Sequence, residues 1–375
     1  MCIFYITTTV HISRGLEEAI GATTHTYAVA KELTKLGHQV HIISERFEGD
    51  LEYEKIGKLH IHRLLRGIVK SSKEIKKSSW RRFFKIFKFI PNFLLGIKVA
   101  KLVGKYNCDL ILERGHSLGV GAVASFLCGK PLILEIIDYI YSKFSALEAK
   151  SIIAYTKIFF SPWIRKKVSI VEAGFDPEIF YVKDLPLKYD ICYAGSFKEW
   201  DGLEDLVRAA RKILARFPEA KFILVGGGIR EKKVKDLIRF YGLEKSFILT
   251  GHKPLKKVVD YINQSKICLA PFNVTRSKKG RFAKYGYYFS PLKIFEYMAC
   301  GKPIVATNYS KIRSLVSKKS GLLFREGNIP DLTSKICWLL SRPKKIKEKG
   351  EYNKKLAQKY TWASVVKKIN ELIGE

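Results

Sequence analysis

A chain of 375 residues exceeds what one hydrophobic core comfortably serves, and 47% apolar residues can fill two. Sixty-eight Lys and Arg against 35 Asp and Glu leave a net charge of +33, which demands a polyanionic partner (nucleic acid, an anionic membrane surface or phosphorylated substrates) or else a very salt-tolerant surface. Seven cysteines without a Cys-x-x-Cys pair argue for a reducing cytosol and against a disulfide framework or zinc site, and no apolar run or N-terminal pattern predicts a spanning helix or signal peptide.

In chain order, residues 2–8 predict a short strand, and Gly21-Ala22-Thr23-Thr24-His25 opens a helix carrying Tyr27, Val29, Leu33 and Leu36. Gly37-His38 ends that helix and residues 39–44 form the next strand. This βαβ unit puts its first loop at the carboxyl end of a strand, where open parallel sheets place ligands. His60 and His62 share one face of a predicted strand; with no third ligand at a useful spacing they read as surface histidines, not a metal site.

Residues 66–105 change character. Twelve Lys or Arg stand against one acid, Glu74, with Trp80, Phe83, Phe84, Phe87, Phe89, Phe93, Leu94 and Leu95 interleaved. Helical spacing predicts a basic amphipathic helix to Ile90, a break at Pro91 and a second helix through Val103, an insertion of interfacial type. Two apolar strands follow, 109–114 and 130–138, whose polar ends make Arg114, His116 and Asp138 candidates to line a cleft. A linker with Lys183, Asp184 and Pro186 marks a boundary, giving domains 1–183 and 184–358.

The second half repeats the alternation. Residues 189–194 form a strand that ends in a Gly195-Ser196 turn, with Lys198 close behind and a helix predicted from Gly202 to Phe217. Strands at 222–225, 247–251 and 267–271 predict a second parallel sheet; the Gly226-Gly227-Gly228 turn is no dinucleotide fingerprint. From Asn273 to Lys293 six Lys or Arg occur without an acid, among Tyr285, Tyr287, Tyr288 and Phe289, the composition of a cationic lip over a cleft.

That run leads into residues 290–306, Ser-Pro-Leu-Lys-Ile-Phe-Glu-Tyr-Met-Ala-Cys-Gly-Lys-Pro-Ile-Val-Ala. Ser290 suits a cap, Pro291 a first helical position, and Leu292, Phe295 and Met298 recur at helical spacing before Gly301 stops the helix. Such a helix start points N–H groups and a dipole at an anion, with a cation at Lys293 and a carboxylate at Glu296 placed for a diol. A last amphipathic helix, 359–375, carries Val365, Val366, Ile369 and Leu372.

The Ser-Pro-Leu-Lys-x-Phe-Glu-Tyr-Met-Ala-Cys-Gly-Lys-Pro segment resembles the nucleotide-sugar motif of the retaining glycosyltransferases of family 4 (glycosyl transferases group 1). The resemblance extends to the Gly-Ala-Thr-x-His and Leu-Gly-His-x-Val stretches of the first unit and covers nearly the whole chain, least well at 45–105. It implies the GT-B fold: two Rossmann-like parallel-sheet domains facing a cleft, with the C-terminal helix crossing back to the first domain. It also implies a hexosyltransferase-type enzyme of the cytosolic face. Such an enzyme moves a sugar with retention from a nucleoside diphosphate sugar to a glycan, lipid-linked or lipid head-group acceptor, with no further cofactor and no metal. On the family pattern Glu296 holds the ribose and Gly21, Ala22, Gly195, Ser196, Ser290, Pro291 and Leu292 lie against the donor, with Lys198 and Lys293 as the substitute cations at its diphosphate.

Departures from that pattern are Ser196 and Asp201 where an arginine and a lysine are usual, Tyr288 for a glutamate, Ile137 for a histidine and Ala173 for an asparagine. They leave a catalytically impaired nucleotide-sugar-binding member as one alternative. A nucleic-acid-binding protein driven by charge is the other, a lesser fit than an anionic membrane surface for the basic insertion.

Overall fold

The computed structural model describes residues 1–12, 22–47, 49–64, 89–276 and 281–374. It divides into two compact units, Met1–Ala173 with Trp362–Glu375, and Gly174–Thr361, so the 174–183 stretch that precedes the sequence boundary belongs to the second.

The first unit runs β1 (Cys2–His11), α1 (Ala22–Lys35), β2 (Gln39–Glu45), β3 (Tyr53–Ile56), β4 (Leu59–Leu64), α2 (Phe89–Lys105), β5 (Leu110–Arg114), α3 (Val120–Cys128), β6 (Leu132–Ile136), α4 (Lys143–Glu148), β7 (Ser151–Ala154), α5 (Pro162–Arg165) and β8 (Val168–Ile170). Its eight strands lie in the order β3-β4-β2-β1-β5-β6-β7-β8, parallel throughout except for the antiparallel edge strand β3. Strands such as Leu-Ile-Leu-Glu-Ile are buried along their length because helices cover both faces of a parallel sheet. Val29, Ala30 and Leu33 of α1 pack on one face; Leu95, Val99, Val120 and Ile164 of the opposite helices pack on the other.

The second unit runs β9 (Tyr189–Ala194), α6 (Leu203–Leu214), β10 (Phe222–Val225), α7 (Glu231–Phe240), β11 (Phe247–Gly251), α8 (Leu255–Asn263), β12 (Ser265–Ala270), α9 (Arg281–Tyr285), α10 (Leu292–Ala299), β13 (Ile304–Thr307), α11 (Ser310–Leu315), β14 (Gly321–Phe324), α12 (Ile329–Leu340) and α13 (Pro343–Ala357). Its six parallel strands follow the order β11-β10-β9-β12-β13-β14. The final helix, α14 (Trp362–Gly374), belongs to the first unit, where Trp362, Val365, Val366 and Ile369 join the α1 side of the core.

Two expectations change. His60 and His62 are not surface residues: they are 6% and 5% exposed. With His41 they form a stack against Phe4 and Tyr106, the His41 ring 4.3 Å from His60 and 5.2 Å from His62. Burial is tolerated because each ring finds a partner: His41 Nδ1 meets His62 Nε2 at 3.0 Å, Tyr53 Oη meets His60 Nδ1 at 2.7 Å, and the Gln39 amide reaches His41 and His60. Pro91 does not break a helix; it sits in the first turn of α2, where a backbone N–H has no helical acceptor to lose. The basic helix expected over 66–88 lies outside the described residues.

Candidate active site

The carboxyl edge of the second sheet builds a pocket of about 180 Å³ lined by Ser196, Lys198, Trp200, Asp201, Phe272, Tyr287, Phe289, Ser290, Pro291, Leu292 and Lys293. Its floor is the turn after β9. Gly195 there has φ +148°, and Gly226 at the end of β10 backs onto it so closely that a Cβ at 226 would stand 2.1 Å from the Gly195 carbonyl oxygen. Its wall is the start of α10, pinned to β9 by Tyr297, whose hydroxyl accepts from Ala194 N–H at 2.8 Å and donates to Ala194 C=O at 3.2 Å.

Ser290 does not cap α10. The helix starts at Leu292 with Pro291 in the capping position, and Leu292 N–H donates to the Ser290 carbonyl at 3.1 Å. Proline offers no side-chain acceptor, so the helix start is left without side-chain capping and faces the pocket.

Lys293 reaches back across Gly195. Its ammonium donates to Asp201 Oδ1 at 2.7 Å and to Tyr193 Oη at 2.9 Å, and lies over the Tyr193 and Phe272 rings at 4.3 and 5.0 Å. Asp201, where the family pattern has a lysine, thus holds a buried ion pair instead of simply opposing an anion; its other oxygen accepts from Lys198 N–H at 3.2 Å. The Lys198 ammonium lies 5.2 Å from the Trp200 ring centre. Glu296, one turn into α10, is half-buried, and its carboxylate makes no side-chain hydrogen bond among the described residues. Burial pushes it up to about 7, with Lys293 pulling the other way. A half-buried acceptor in that condition is what a vicinal diol would satisfy.

The lip expected to be cationic keeps Lys284 exposed, its ammonium 5.0 Å from the Tyr285 ring centre, and also carries an aromatic cluster. Trp200, Phe282, Tyr288 and Phe289 pack together, with Tyr288 buried in that cluster at the position of the family's glutamate. Residues 277–280, with Lys278 and Lys279, lie outside the described residues. Gly21 does too, and Ala22 is the first residue of α1, so the pocket lining named above comes entirely from the second unit.

At the carboxyl edge of the first sheet, His116 Nε2 and Asp138 Oδ2 are 2.6 Å apart and half-exposed. Arg114 departs from expectation: it is fully buried and its guanidinium donates to Thr26 Oγ1. Tyr193, Trp200 and Tyr297 were not singled out from sequence. The available signal was a tyrosine in the middle of an apolar strand and another on the apolar face of a helix, each implying a hydroxyl in need of a partner.

Residues 20–138 match the model of glycosyltransferase family 4 and residues 188–342 that of the glycosyl transferases group 1. The chain belongs to the family 4, group 1 glycosyltransferases. An uncharacterized glycosyltransferase of Methanocaldococcus jannaschii is 24% identical over 56% of this chain and 55% of its own length. A putative colanic acid biosynthesis glycosyltransferase of Escherichia coli is 27% identical over 46% of this chain and 42% of its own length. The chain therefore spans about half the length of these curated relatives. Sucrose-phosphate synthase of Thermosynechococcus elongatus superimposes with a TM-score of 0.71 at 17% identity, covering 99% of this chain and 98% of that one. Anabaena HepE, solved in complex with UDP, gives 0.71 at 16% identity over 100% of both chains. Both likenesses are of fold, the two parallel-sheet α/β units of GT-B proteins.

Proposed function

We propose that this family member transfers a sugar from a nucleoside diphosphate donor bound in the second-unit pocket. The observation that carries the reading is the convergence of the Gly195-Ser196 turn, Lys198, the start of α10 and Lys293 on one pocket, with the half-buried Glu296 one turn beyond. The diphosphate lies against the turn and the helix start, and Glu296 takes the ribose hydroxyls. HepE, a fold neighbour at 16% identity, was solved with UDP and glucose, which makes uridine the first base to try.

Retention of configuration is part of this proposal, supported by the likeness of residues 290–303 to the motif of the retaining enzymes. In a front-face displacement the bond from sugar C1 to the phosphate oxygen breaks as the acceptor oxygen bonds to C1 on the same face, and the acceptor proton passes to the departing phosphate oxygen. The chain's part is positioning and charge: Lys293 and the start of α10 stabilise negative charge growing on that oxygen, and Glu296 fixes the nucleoside.

The acceptor is a glycan, a lipid-linked glycan or a lipid head group presented at an anionic membrane. Helices α2 to α5 of the first unit carry one carboxylate, Glu148, against exposed Lys98, Lys101, Lys105, Lys143 and Arg165. Phe93, Leu94, Phe126, Leu127 and Trp163 are exposed on the same layer, Phe126 to 71%. The basic run through Arg81, Arg82, Lys85 and Lys88 leads directly into α2. No helix among the described residues is long and apolar enough to cross a membrane, so contact of this kind is superficial.

A panel of nucleotide sugars tests the donor reading: one member is slowly hydrolysed and its nucleotide binds, whereas binding of no nucleoside diphosphate at all refutes it. Sedimentation with phosphatidylglycerol vesicles tests the surface. Wild type pellets at low salt, and the change of Arg81, Arg82, Lys85 and Lys88 to Glu leaves it in solution. Salt-sensitive binding of nucleic acid without vesicle binding assigns the charge to that partner instead.

A further inference from the structure

Resting on that donor reading, we infer that Asp201 makes the pocket discriminate by charge between donor and spent nucleotide, favouring release of the product. The pocket lining carries two cations, Lys198 and Lys293, and one carboxylate, Asp201. Asp201 is buried and bonded to Lys293 at 2.7 Å, so it neutralises the cation that stands at the Gly195 turn, where the outer phosphate of a diphosphate would lie. A diphosphate esterified to a sugar bears two negative charges. Once the sugar has left, the terminal phosphate holds the acceptor's proton, and it loses that proton above a pH of about 6.

The third charge thus arises only after transfer, next to a fixed carboxylate that cannot move away from it. Repulsion acts on the donor's two charges and more strongly on the product's three, so it weighs against the product. A lysine at 201 would do the reverse and hold the product most tightly. The groups facing this phosphate are Lys198, Lys293, Asp201, Tyr193 and Tyr287, with Glu296 one turn on. Glu296 meets the nucleoside, which donor and product share, so its own titration cancels in their ratio.

The test is calorimetric binding of UDP and UDP-glucose at pH 7.5 and 5.5, with the GDP and ADP pairs as alternates. In Asp201→Asn, UDP should tighten by about tenfold at pH 7.5. UDP-glucose should tighten less, and at pH 5.5 the gain for UDP should shrink towards that for UDP-glucose. Asp201→Ser, which also removes the charge, is the second variant should the first fold poorly. An equal change for both ligands, or a loss for both, overturns the inference and leaves Asp201 as a positioning residue for Lys293. If no nucleoside diphosphate binds the wild type, the donor pocket itself is misassigned and this inference falls with it.

Discussion

Both units of the chain end their parallel strands in charged residues, and the two ends are used differently. At the edge of the second sheet Lys293, Asp201 and Lys198 line an open pocket, and Glu296 nearby keeps a carboxylate without a hydrogen-bonding side chain among the described residues. At the edge of the first, Glu135 is buried, accepts from Tyr5 and His25, and has Arg114 near. Burial opposes its charge, yet His25, Arg114 and Tyr5 hold it down to about 2. Trp362 of α14 sets its ring edge-on to His25 at 5.0 Å, so this cluster also seats the last helix. Polar groups satisfied by one another stabilise a fold, and polar groups left half-satisfied at a cavity mark where a ligand completes the set.

The hardest test of that contrast is Glu135→Ala. It strands a buried arginine, histidine and tyrosine and should cost about 3–5 kcal/mol of stability, read by urea unfolding. A variant that folds normally but no longer transfers sugar would break the comparison, because Glu135 would then be a working residue and not a structural one.

Next in size is the histidine stack of the first unit. Burial, then His41, His60 and Lys105, push His62 down to about 4, and burial lowers His60 as well. A base whose folded value lies below its unfolded one binds protons better when unfolded. Stability should therefore fall as pH drops from about 6.5 towards 4, by up to about 3 kcal/mol for His62. Unfolding of wild type and His62→Gln across that window checks it. The variant should lose most of the slope, and parallel curves would show that the slope arises from groups other than His62.

For the pocket, Glu296→Ala should weaken nucleoside diphosphate binding by one to two orders of magnitude, about 1.5–3 kcal/mol, while leaving the fold intact. Its carboxyl is raised from an ordinary 4.5 to about 7, so ionising it in the folded state costs stability as pH rises between those values. Alanine removes that cost, and the variant should be no less stable than wild type at pH 8. In wild type, nucleotide affinity should decline as pH falls through about 7 and the carboxylate is lost. Loss of stability together with loss of binding would place Glu296 with Glu135, as part of the fold.

Sequence patterning revealed the alternation of strands and helices, both sheets and the residues of the α10 turn, while the return of the last helix was implied by the resemblance to family 4. The former rest on local apolar periodicity or on a contiguous motif. The histidine stack was misread because His60 and His62 alternate along β4 as a half-exposed strand would, and nothing local announces that Tyr106, 44 positions beyond His62, will cover them. The Lys293–Asp201 pair joins residues 92 positions apart through two different elements, so a sequence could only mark Asp201 as out of place. Ser290 suited a cap by type, but the proline after it moved the helix start to Leu292.

The smallest expected effect separates the two cations of the pocket. Lys293 is mostly buried, bonded to Asp201 and Tyr193, and its loss would uncover a buried carboxylate, so its deletion mixes binding with folding. Lys198 is exposed, its ammonium resting over Trp200. An exposed cation over an aromatic ring contributes on the order of 0.5–1 kcal/mol to holding an anion, and salt screens it. Lys198→Ala should therefore raise the UDP dissociation constant only about threefold at low salt, converging on wild type at about 0.5 M, with unfolding unchanged. A loss beyond tenfold that persists in salt would make Lys198 the principal anchor. The diphosphate would then sit nearer Trp200 than Gly195, and the charge placed beside Asp201 would be on the wrong side of the pocket.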